Sequence, residues 1–409
     1  MTGQRSILGT PRRRGRCRCG AGCIPFRKGK PMKKSTVTGI VVSVLLLACS
    51  APPVSQTASA QEDSSRGTLR DRIKQRLLER QQQKPAPQAS TDARSKISQP
   101  GDYTFSIVHG GLTRMYRVHV PSKYDPAKPA PVVFAFHGGG ANMEYQATDE
   151  NYGQVAKSER EGFIVVFPNG YSKLPSGKFA TWNAGTCCAA ARDENVDDVG
   201  FVKTMIDNLG HQLNIDRGRI FATGMSNGGM LAYRVACEMA DTFKAIASVA
   251  GPDGTTSCNP SRPISILHIH AKNDDHAQFA GGAGPKSQER TKVTNFRSVP
   301  ETISRWVAHN SCSPTPKRVL EKPGAYCDAY QSCRGGVEVR LCVTDRGGHS
   351  WPGAAKTRGE PASTAISAND AMWEFWNRQR ALSALVSRSS QPTRSPHRAQ
   401  ASRATPADG

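Results

Sequence analysis

The segment of the chain best suited to chemistry is Gly224-Met225-Ser226-Asn227-Gly228, in which a serine has a glycine two positions away on either side. The apolar run 220–223 precedes the serine, and a helical pattern over 228–238 follows it. A strand, a tight turn and a helix in this order expose the serine oxygen next to the first backbone N–H groups of the helix. We therefore predict that Ser226 is a nucleophile, against the alternative of a serine that only shapes a turn.

A second glycine-rich segment, His137-Gly138-Gly139-Gly140, directly follows the apolar run 132–136. Backbone N–H groups in such a loop can act together with the N–H of the residue after the serine. Between them they stabilise the negative oxygen that forms when a serine attacks a carbonyl group. We predict that Gly138, Gly139 and Asn227 form this oxyanion hole. The other interpretation is that the glycines only make a turn after the strand.

A serine nucleophile of this kind needs a histidine base and an acid that orients the base, and the expected order along the chain is serine, acid, histidine. The strand-like run 264–269 leads into an acidic loop that contains two adjacent carboxylates, Asp274 and Asp275. The spacing from the end of the strand favours Asp274 as the acid. Asp275 stays open as the alternative.

The predicted base is His349, which lies in a glycine-rich loop after the last strand-like run. A flexible loop at this place lets one ring nitrogen reach the serine oxygen while the acid holds the other ring nitrogen. Four other histidines compete for the role, but strand or helix positions favour core or surface roles for three of them. The four competitors are His268, His270, His276 and His309.

Strand-like and helix-like patterns alternate along the central part of the chain. The middle strand-like runs are continuously apolar, as expected for parallel strands that are buried on both faces. This alternation predicts an α/β fold, with a mostly parallel sheet and helices on both faces, as one domain over residues 101–379. The predicted strands are 115–120, 132–136, 163–167, 220–223, 245–249, 264–269 and 337–343, and the predicted helices are 152–161, 199–213, 228–238, 301–309 and 368–379.

Residues 32–60 have the pattern of an export signal, with a basic start, an apolar stretch and then small residues. Two processing sites compete. Leu46-Leu47-Ala48-Cys49 resembles a lipobox, in which Cys49 becomes a lipid anchor to the membrane, whereas cleavage after Ala60 leads to free secretion. The sequence therefore predicts export of the domain, with either outcome open.

The remaining terminal segments are polar and basic. The 409-residue chain has a formal net charge of +22, and most of this charge lies in the terminal segments. Nucleic-acid binding needs positive charge clustered on the folded body, so we predict no nucleic-acid partner. We expect residues 1–31 to be upstream read-through, 61–100 to be a polar linker and 380–409 to be a disordered basic tail.

Eight of the twelve cysteines lie within the predicted domain, and an even number in an exported chain predicts disulfide bonds. No CxxC pair is present, so the sequence predicts no zinc site. Cys187 and Cys188 are adjacent. Because vicinal bridges are strained, we predict that these two do not pair with each other and that at least one reaches a distant cysteine. The others are Cys237, Cys258, Cys312, Cys327, Cys333 and Cys342.

Seven short motifs between residues 104 and 377 carry a family resemblance. They are HGGG at 137–140, FPNG at 167–170, TWNAGTCC at 181–188, VDDVGF at 196–201, GMSNGG at 224–229, SVAGP at 248–252 and GGHSWPG at 347–353. Together they resemble the secreted esterase family of polyhydroxybutyrate depolymerases, feruloyl esterases and related carbohydrate esterases, which includes bacterial lipoproteins. The resemblance implies an α/β-hydrolase fold and places the family's triad on Ser226, Asp274 and His349.

The resemblance also implies residues around the substrate. Trp182, Asn183 and Trp351 would flank the cleft, although packing of the catalytic loops explains these residues equally well. The chain departs from the family pattern before the triad acid, where Ala271-Lys272 stands in place of Gly-Thr. The identity of the acid therefore stays open at this stage.

These residues together predict an exported serine carboxylic ester hydrolase that works through an acyl-enzyme and needs no metal or organic cofactor. The expected substrates are polyester oligomers or acylated and feruloylated saccharides. The alternative is a non-catalytic exported binding protein on a hydrolase scaffold, because a fold by itself does not determine an activity.

Overall fold

The computed structural model describes residues 96–287, 295–355 and 360–389, with side chains as far as residue 378. Several predictions concern residues outside these ranges. They are the upstream read-through, the export signal with Cys49 and Ala60, the linker up to residue 95 and the tail from residue 390 onward.

Ten strands form one sheet in the described part of the chain. They are β1 (Gly101–His109), β2 (Leu112–Val120), β3 (Ala130–Phe136), β4 (Ile164–Pro168), β5 (Ile215–Met225), β6 (Ala245–Val249), β7 (Ser265–Ala271), β8 (Lys317–Lys322), β9 (Ala325–Tyr330) and β10 (Val339–Thr344). Their order across the sheet is β1-β2-β4-β3-β5-β6-β7-β10-β9-β8. The six central strands, from β4 to β10, run parallel, and antiparallel strands extend both edges.

The central strands are parallel because helices cover both of their faces. Every residue of β3, β4, β6, β7 and β10 is buried, which matches their nearly continuous apolar sequences. Two hydrophobic clusters, one containing Phe134 and the other Val133, include neighbouring residues of β3. Because successive side chains of a strand point to opposite faces, these clusters lie on the two sides of the sheet. The predicted α/β class is thereby confirmed.

Eight α-helices accompany the sheet in the described residues. They are α1 (Met143–Ala147), α2 (Asp149–Tyr152), α3 (Gln154–Glu161), α4 (Ala189–Asp193), α5 (Asp198–Gln212), α6 (Asn227–Glu238), α7 (Val299–His309) and α8 (Ala368–Ser389). The last helix extends ten residues past the predicted end at Gln379, into the segment predicted as a tail. None of the helices described is both long and apolar enough to cross a membrane.

The sequence patterns miss the outer strands β1, β8 and β9. The edge strand β8 consists of Lys-Arg-Val-Leu-Glu-Lys, and none of its residues is buried. In β9 every second residue is buried, so only one of its faces packs on the core. Strands at a sheet edge need little apolar sequence, because one side of the backbone and at least one face are in water. The composition of β8 therefore resembles that of a loop.

The cysteine prediction needs a correction. The structure pairs Cys187 with Cys188, and neither reaches a distant cysteine. The physical reason lies in the other six cysteines of the domain, which are paired among themselves and leave these two with each other. The three other pairs are Cys237–Cys258, Cys312–Cys333 and Cys327–Cys342. The last pair joins directly opposite residues of β9 and β10.

Candidate active site

Ser226 occupies a sharp turn between β5 and α6. Its backbone has φ 54° and ψ −119°, a conformation that is unfavourable for a residue with a Cβ atom. The turn is held by the Ser226 N–H, which donates to the Val249 carbonyl at 2.8 Å. The Gly228 backbone lies so close to Phe136 that a Cβ atom there would collide with the Phe136 carbonyl oxygen. Glycine is therefore required at this position, and the turn brings the helix start against the end of β3.

The predicted oxyanion residues meet at the serine. A Cβ atom built on Gly138 would lie 3.8 Å from the Cβ of Ser226, and one built on Gly139 would lie 3.5 Å from the Cβ of Asn227. Asn227 is the first residue of α6, so its N–H belongs to the helix end that carries partial positive charge. The glycine loop and the helix start thus come together next to one serine.

His137 holds the glycine loop in place. Its Nε2 accepts a hydrogen bond from the Gly170 N–H at 2.9 Å, so the proton of the neutral ring is on Nδ1, which donates to the Gly138 carbonyl at 2.8 Å. Burial lowers the pKa of His137 to about 4, which keeps the ring neutral at pH 7. A Cβ atom on Gly170 would lie 2.7 Å from the Thr181 oxygen. Three of the sequence motifs are therefore packed on one another around this ring.

Asp274 and His349 form an acid–base pair. The His349 Nδ1 lies 2.8 Å from the Asp274 Oδ2, while Asp274 Oδ1 accepts the N–H groups of His276 and Ala277 at 2.8 and 2.9 Å. Burial by itself raises the pKa of Asp274. The positive charge of His349 and hydrogen bonds from His270 and His349 outweigh that effect and hold the pKa well below its usual range. The carboxylate is therefore ionised at any working pH.

The sheet topology brings the four predicted parts to the same end of the sheet. Strands β3, β5, β7 and β10 are parallel, and each part follows the carboxyl end of one of them. Gly138 follows β3, Ser226 follows β5, Asp274 follows β7 and His349 follows β10. Ligand sites of open parallel sheets lie at this end of the strands.

The structure places Asp275 away from the His349 Nδ1. Its Oδ1 lies 2.7 Å from the His276 Nδ1, and its Oδ2 forms an ion pair with Lys286 at 2.8 Å. His276 in turn stacks on the His349 ring, with the ring centroids 4.5 Å apart and an interplanar angle of 19°. Burial and the nearby His349 charge lower the pKa of His276. The sequence alone does not reveal this ring contact.

A metal would find ligands in this same group. Asp274, His276 and His349 offer nitrogen and oxygen atoms within 4.8 Å of one another. The carboxylate and the His349 ring already form a hydrogen-bonded pair, which accounts for the cluster without an ion.

The three predicted substrate contacts are buried. Trp182 is 0% exposed, and its Nε1 donates to the His137 carbonyl at 2.9 Å. Asn183 and Trp351 are 4% and 2% exposed. Side chains with so little exposed surface cannot stack on a substrate in this conformation. The structure therefore favours packing of the catalytic loops over the predicted contact role for Trp182, Asn183 and Trp351.

The side chain of Asn227 links two of these loops. Its Oδ1 accepts the Trp182 N–H at 2.7 Å, and its Nδ2 donates to the Trp182 carbonyl at 3.1 Å. The paired hydrogen bonds tie the Trp182 loop to the start of α6. The side chain of Asn227 is therefore engaged by the Trp182 backbone, and its backbone N–H is left for the predicted oxyanion role.

Comparison with known families shows which family the chain belongs to. The family model described as "Putative esterase" matches residues 111–394, which is more than half of the chain. This chain belongs to the esterase family. The matched range begins at β2 and includes every element that carries a predicted catalytic residue.

Relatives of this chain include proteins named as feruloyl esterases. Feruloyl esterase B of Piromyces equi is 32% identical over 240 residues, which are 57% of this chain and 42% of that protein. Feruloyl esterase C of Emericella nidulans is 28% identical over 270 residues, covering 64% and 83% of the two chains. The chain thus spans less than half of the first relative. Among solved structures, acetyl xylan esterase from Aspergillus awamori aligns with 67% of this chain and 98% of its own, with 13% identity and a TM-score of 0.47.

Proposed function

We propose that the esterase is a serine carboxylic ester hydrolase with Ser226 as nucleophile, His349 as base and Asp274 as orienting acid. The observation that carries the proposal is the 2.8 Å contact between the His349 Nδ1 and the buried Asp274 carboxylate. A proton on Nδ1 leaves Nε2 as the basic nitrogen, which is the atom that must take the serine proton. The serine conformation and the glycine loop give independent support.

The reaction then follows in two stages. His349 removes the Ser226 proton as the oxygen attacks the ester carbonyl, and the resulting oxyanion accepts hydrogen bonds from the backbone N–H groups near Gly138, Gly139 and Asn227. The tetrahedral intermediate expels the alcohol, which receives its proton from His349. Water, deprotonated by the same histidine, then attacks the acyl-serine and releases the acid.

We propose esters of aromatic acids on saccharides as the substrate class. Phe179 is 73% exposed and stands next to Ala180, whose backbone pairs with Gly140 and Ala141 at the end of the glycine loop. Leu174 and Tyr145 are further exposed apolar side chains, at 47% and 50%, on the segments that adjoin this loop. An aromatic side chain at the rim of the site suits an aromatic acyl group, since ring pairs stabilise each other beyond simple burial.

The test compares methyl ferulate with p-nitrophenyl acetate and with hydroxybutyrate oligomers. We expect hydrolysis of methyl ferulate, and we expect Phe179→Ala to lower the ratio of kcat/KM for methyl ferulate to that for p-nitrophenyl acetate by about tenfold. Val108→Ala serves as the matched control, because Val108 is equally exposed but lies on β1. An unchanged ratio, or turnover of hydroxybutyrate oligomers alone, would contradict the aromatic-ester proposal.

We also propose that the esterase is exported, with Cys49 as its lipid anchor. The basic and apolar pattern of residues 32–60 and the lipobox-like sequence that ends at Cys49 support this. Mass spectrometry of the mature N-terminus from a bacterial host should find a diacylglyceryl group on Cys49. A mature chain that begins after Ala60 without such a group would contradict the anchor.

The alternative is a binding protein without catalysis. Such a protein has no need for a buried carboxylate on a histidine, for a strained serine or for a glycine loop that abuts this serine. The complete set favours an enzyme.

A further inference from the structure

A chain of buried polar side chains continues from Asp274 into the core, away from His349. The His270 Nε2 lies 3.2 Å from the Asp274 Oδ2, and the His270 Nδ1 lies 3.0 Å from the His268 Nε2. The Tyr233 hydroxyl lies 2.9 Å from the His268 Nδ1. Tyr233 and His268 are fully buried and His270 is 1% exposed. None of these three side chains takes part in the two reaction stages proposed for Ser226 and His349.

The contacts determine the direction of every hydrogen bond in this chain. The His270 Nε2 faces two atoms that can only accept, the Asp274 carboxylate and the Ala277 carbonyl oxygen at 2.8 Å. Nε2 therefore carries the proton. In the neutral ring Nδ1 must then accept, so the His268 Nε2 donates to it, and the His268 Nδ1 accepts the hydroxyl proton of Tyr233.

The surroundings keep His268 and Tyr233 uncharged. Burial lowers the pKa of His268 well below its usual value and raises the pKa of Tyr233 well above its own. The nearest charges outside the chain belong to Asp253, which accepts from the Trp306 Nε1 at 3.1 Å and lies 3.4 Å from Arg305. Trp306 covers Tyr233, with ring centroids 5.7 Å apart.

We propose that Tyr233, His268 and His270 are positioning residues that orient the Asp274 carboxylate toward His349. The three donors point in one direction, and the last of them, the His270 Nε2–H, lies between the Ala277 carbonyl oxygen at 2.8 Å and the carboxylate at 3.2 Å, so each bond polarises the next. The carboxylate has two oxygens to satisfy. His270 shares Oδ2 with His349, while backbone N–H groups hold Oδ1, so that the group cannot rotate away from the base.

This positioning role predicts a change in the pH dependence of kcat/KM that a role in packing alone does not predict. Without the His270 donor, the Asp274 carboxylate becomes more basic and attracts the protonated His349 more strongly, because a hydrogen bond to the charged form favours that form. Since His349 must be neutral to act as base, the acid limb of kcat/KM moves to higher pH.

The experiment compares His270→Leu, His270→Gln and Tyr233→Phe in the full chain. We expect His270→Leu to lower kcat/KM for p-nitrophenyl acetate about 10- to 100-fold, the range typical when a side chain that orients a functional histidine is lost. We expect its acid limb to move upward by about one pH unit. His270→Gln retains a donor near the position of Nε2. Its kcat/KM and its acid limb should therefore lie between those of His270→Leu and those of the unmodified protein. Tyr233→Phe should also lower kcat/KM and move the acid limb upward, each by less than His270→Leu does.

Phe243→Leu is the matched control for loss of a buried ring. Phe243 is fully buried and packs on Phe134, away from the polar chain. This variant should lower stability without moving the acid limb. An unchanged limb and an unchanged kcat/KM in folded His270→Leu would overturn the proposal, as would an equal shift in Phe243→Leu. If His270→Leu does not fold, His270→Gln and Tyr233→Phe decide by the same two readouts.

The inference rests on the proposed serine-esterase function, and Ser226→Ala separates the two. If Ser226→Ala is as active as the unmodified protein, the proposed function fails. If Ser226→Ala is inactive while the His270 and Tyr233 variants keep the normal rate and acid limb, only the positioning role fails.

Discussion

Ser226→Ala should reduce kcat for p-nitrophenyl acetate by about 10⁶-fold, because a triad acts as a unit and loses nearly all of its contribution with the nucleophile. The hydroxyl is the atom that forms the acyl-enzyme, and alanine leaves the sharp turn after β5 in place. Residual turnover of about 10³- to 10⁴-fold over water is expected from the oxyanion hole and from binding. Steady-state kinetics on purified protein measures this directly.

Ser261→Ala is the control for this experiment. Ser261 is a surface serine whose hydroxyl donates to Asp241 at 2.8 Å, and it belongs to none of the elements that carry the site. We expect its kcat to stay within about twofold of the unmodified value, as for most surface substitutions. A Ser226→Ala protein that retains activity within tenfold of normal would show that another residue is the nucleophile.

Asp274→Asn should reduce kcat by about 10⁴-fold, the effect expected when the histidine base is held in the wrong tautomer. In the native site the carboxylate Oδ2 accepts from His349 and lies 3.2 Å from the His270 Nε2, while Oδ1 accepts two backbone N–H groups. An asparagine keeps its oxygen on the two backbone donors, so its NH₂ group faces His349. The His349 Nδ1 then has to accept, and the proton moves to Nε2, where it blocks removal of the serine proton.

Asp275→Asn is the matched control, because it changes the neighbouring carboxylate in the same way. Asp275 contacts His276 and Lys286, not the Nδ1 of His349. We expect it to change kcat by no more than a few fold, through the ring that stacks on His349. A larger loss in Asp275→Asn than in Asp274→Asn would reverse the assignment of the acid.

The buried half of the fold is predictable from sequence because burial leaves a clear pattern. The strands β3, β6 and β7 are short apolar runs between helical patterns, and the structure has them within one or two residues of the predicted ends. The outer strands are not predictable in this way. Their stability comes from pairing with a neighbouring strand, as β8 pairs with β9, rather than from an apolar sequence of their own.

The same contrast between local sequence motifs and long-range contacts applies to the candidate site. The turn at Ser226 and the glycine loop are local motifs, so the sequence predicts where along the chain each of them lies. Contacts between residues that are far apart in the sequence cannot be predicted in this way. The stacking of His276 on His349 joins loops that are far apart in sequence, and the burial of Trp182 depends on His137 and Phe136. Neither follows from the spacing of residues.

One signal in the sequence could have revealed the positioning residues. His268 and His270 alternate on β7, so their side chains lie on the same face of the sheet and precede the acidic loop by a few residues. Two histidines on one face of a buried strand need hydrogen-bond partners. The tyrosine that supplies one of them lies on α6, and only the folded structure brings it into reach.

The nucleophile is identified most directly by mapping the residue that a serine-directed phosphonate ester modifies. We predict one phosphonyl group per chain on the peptide that contains Ser226, formed in step with the loss of p-nitrophenyl acetate hydrolysis, and none in Ser226→Ala. Loss of activity with the group on another residue, or full activity in protein modified at Ser226, would contradict it.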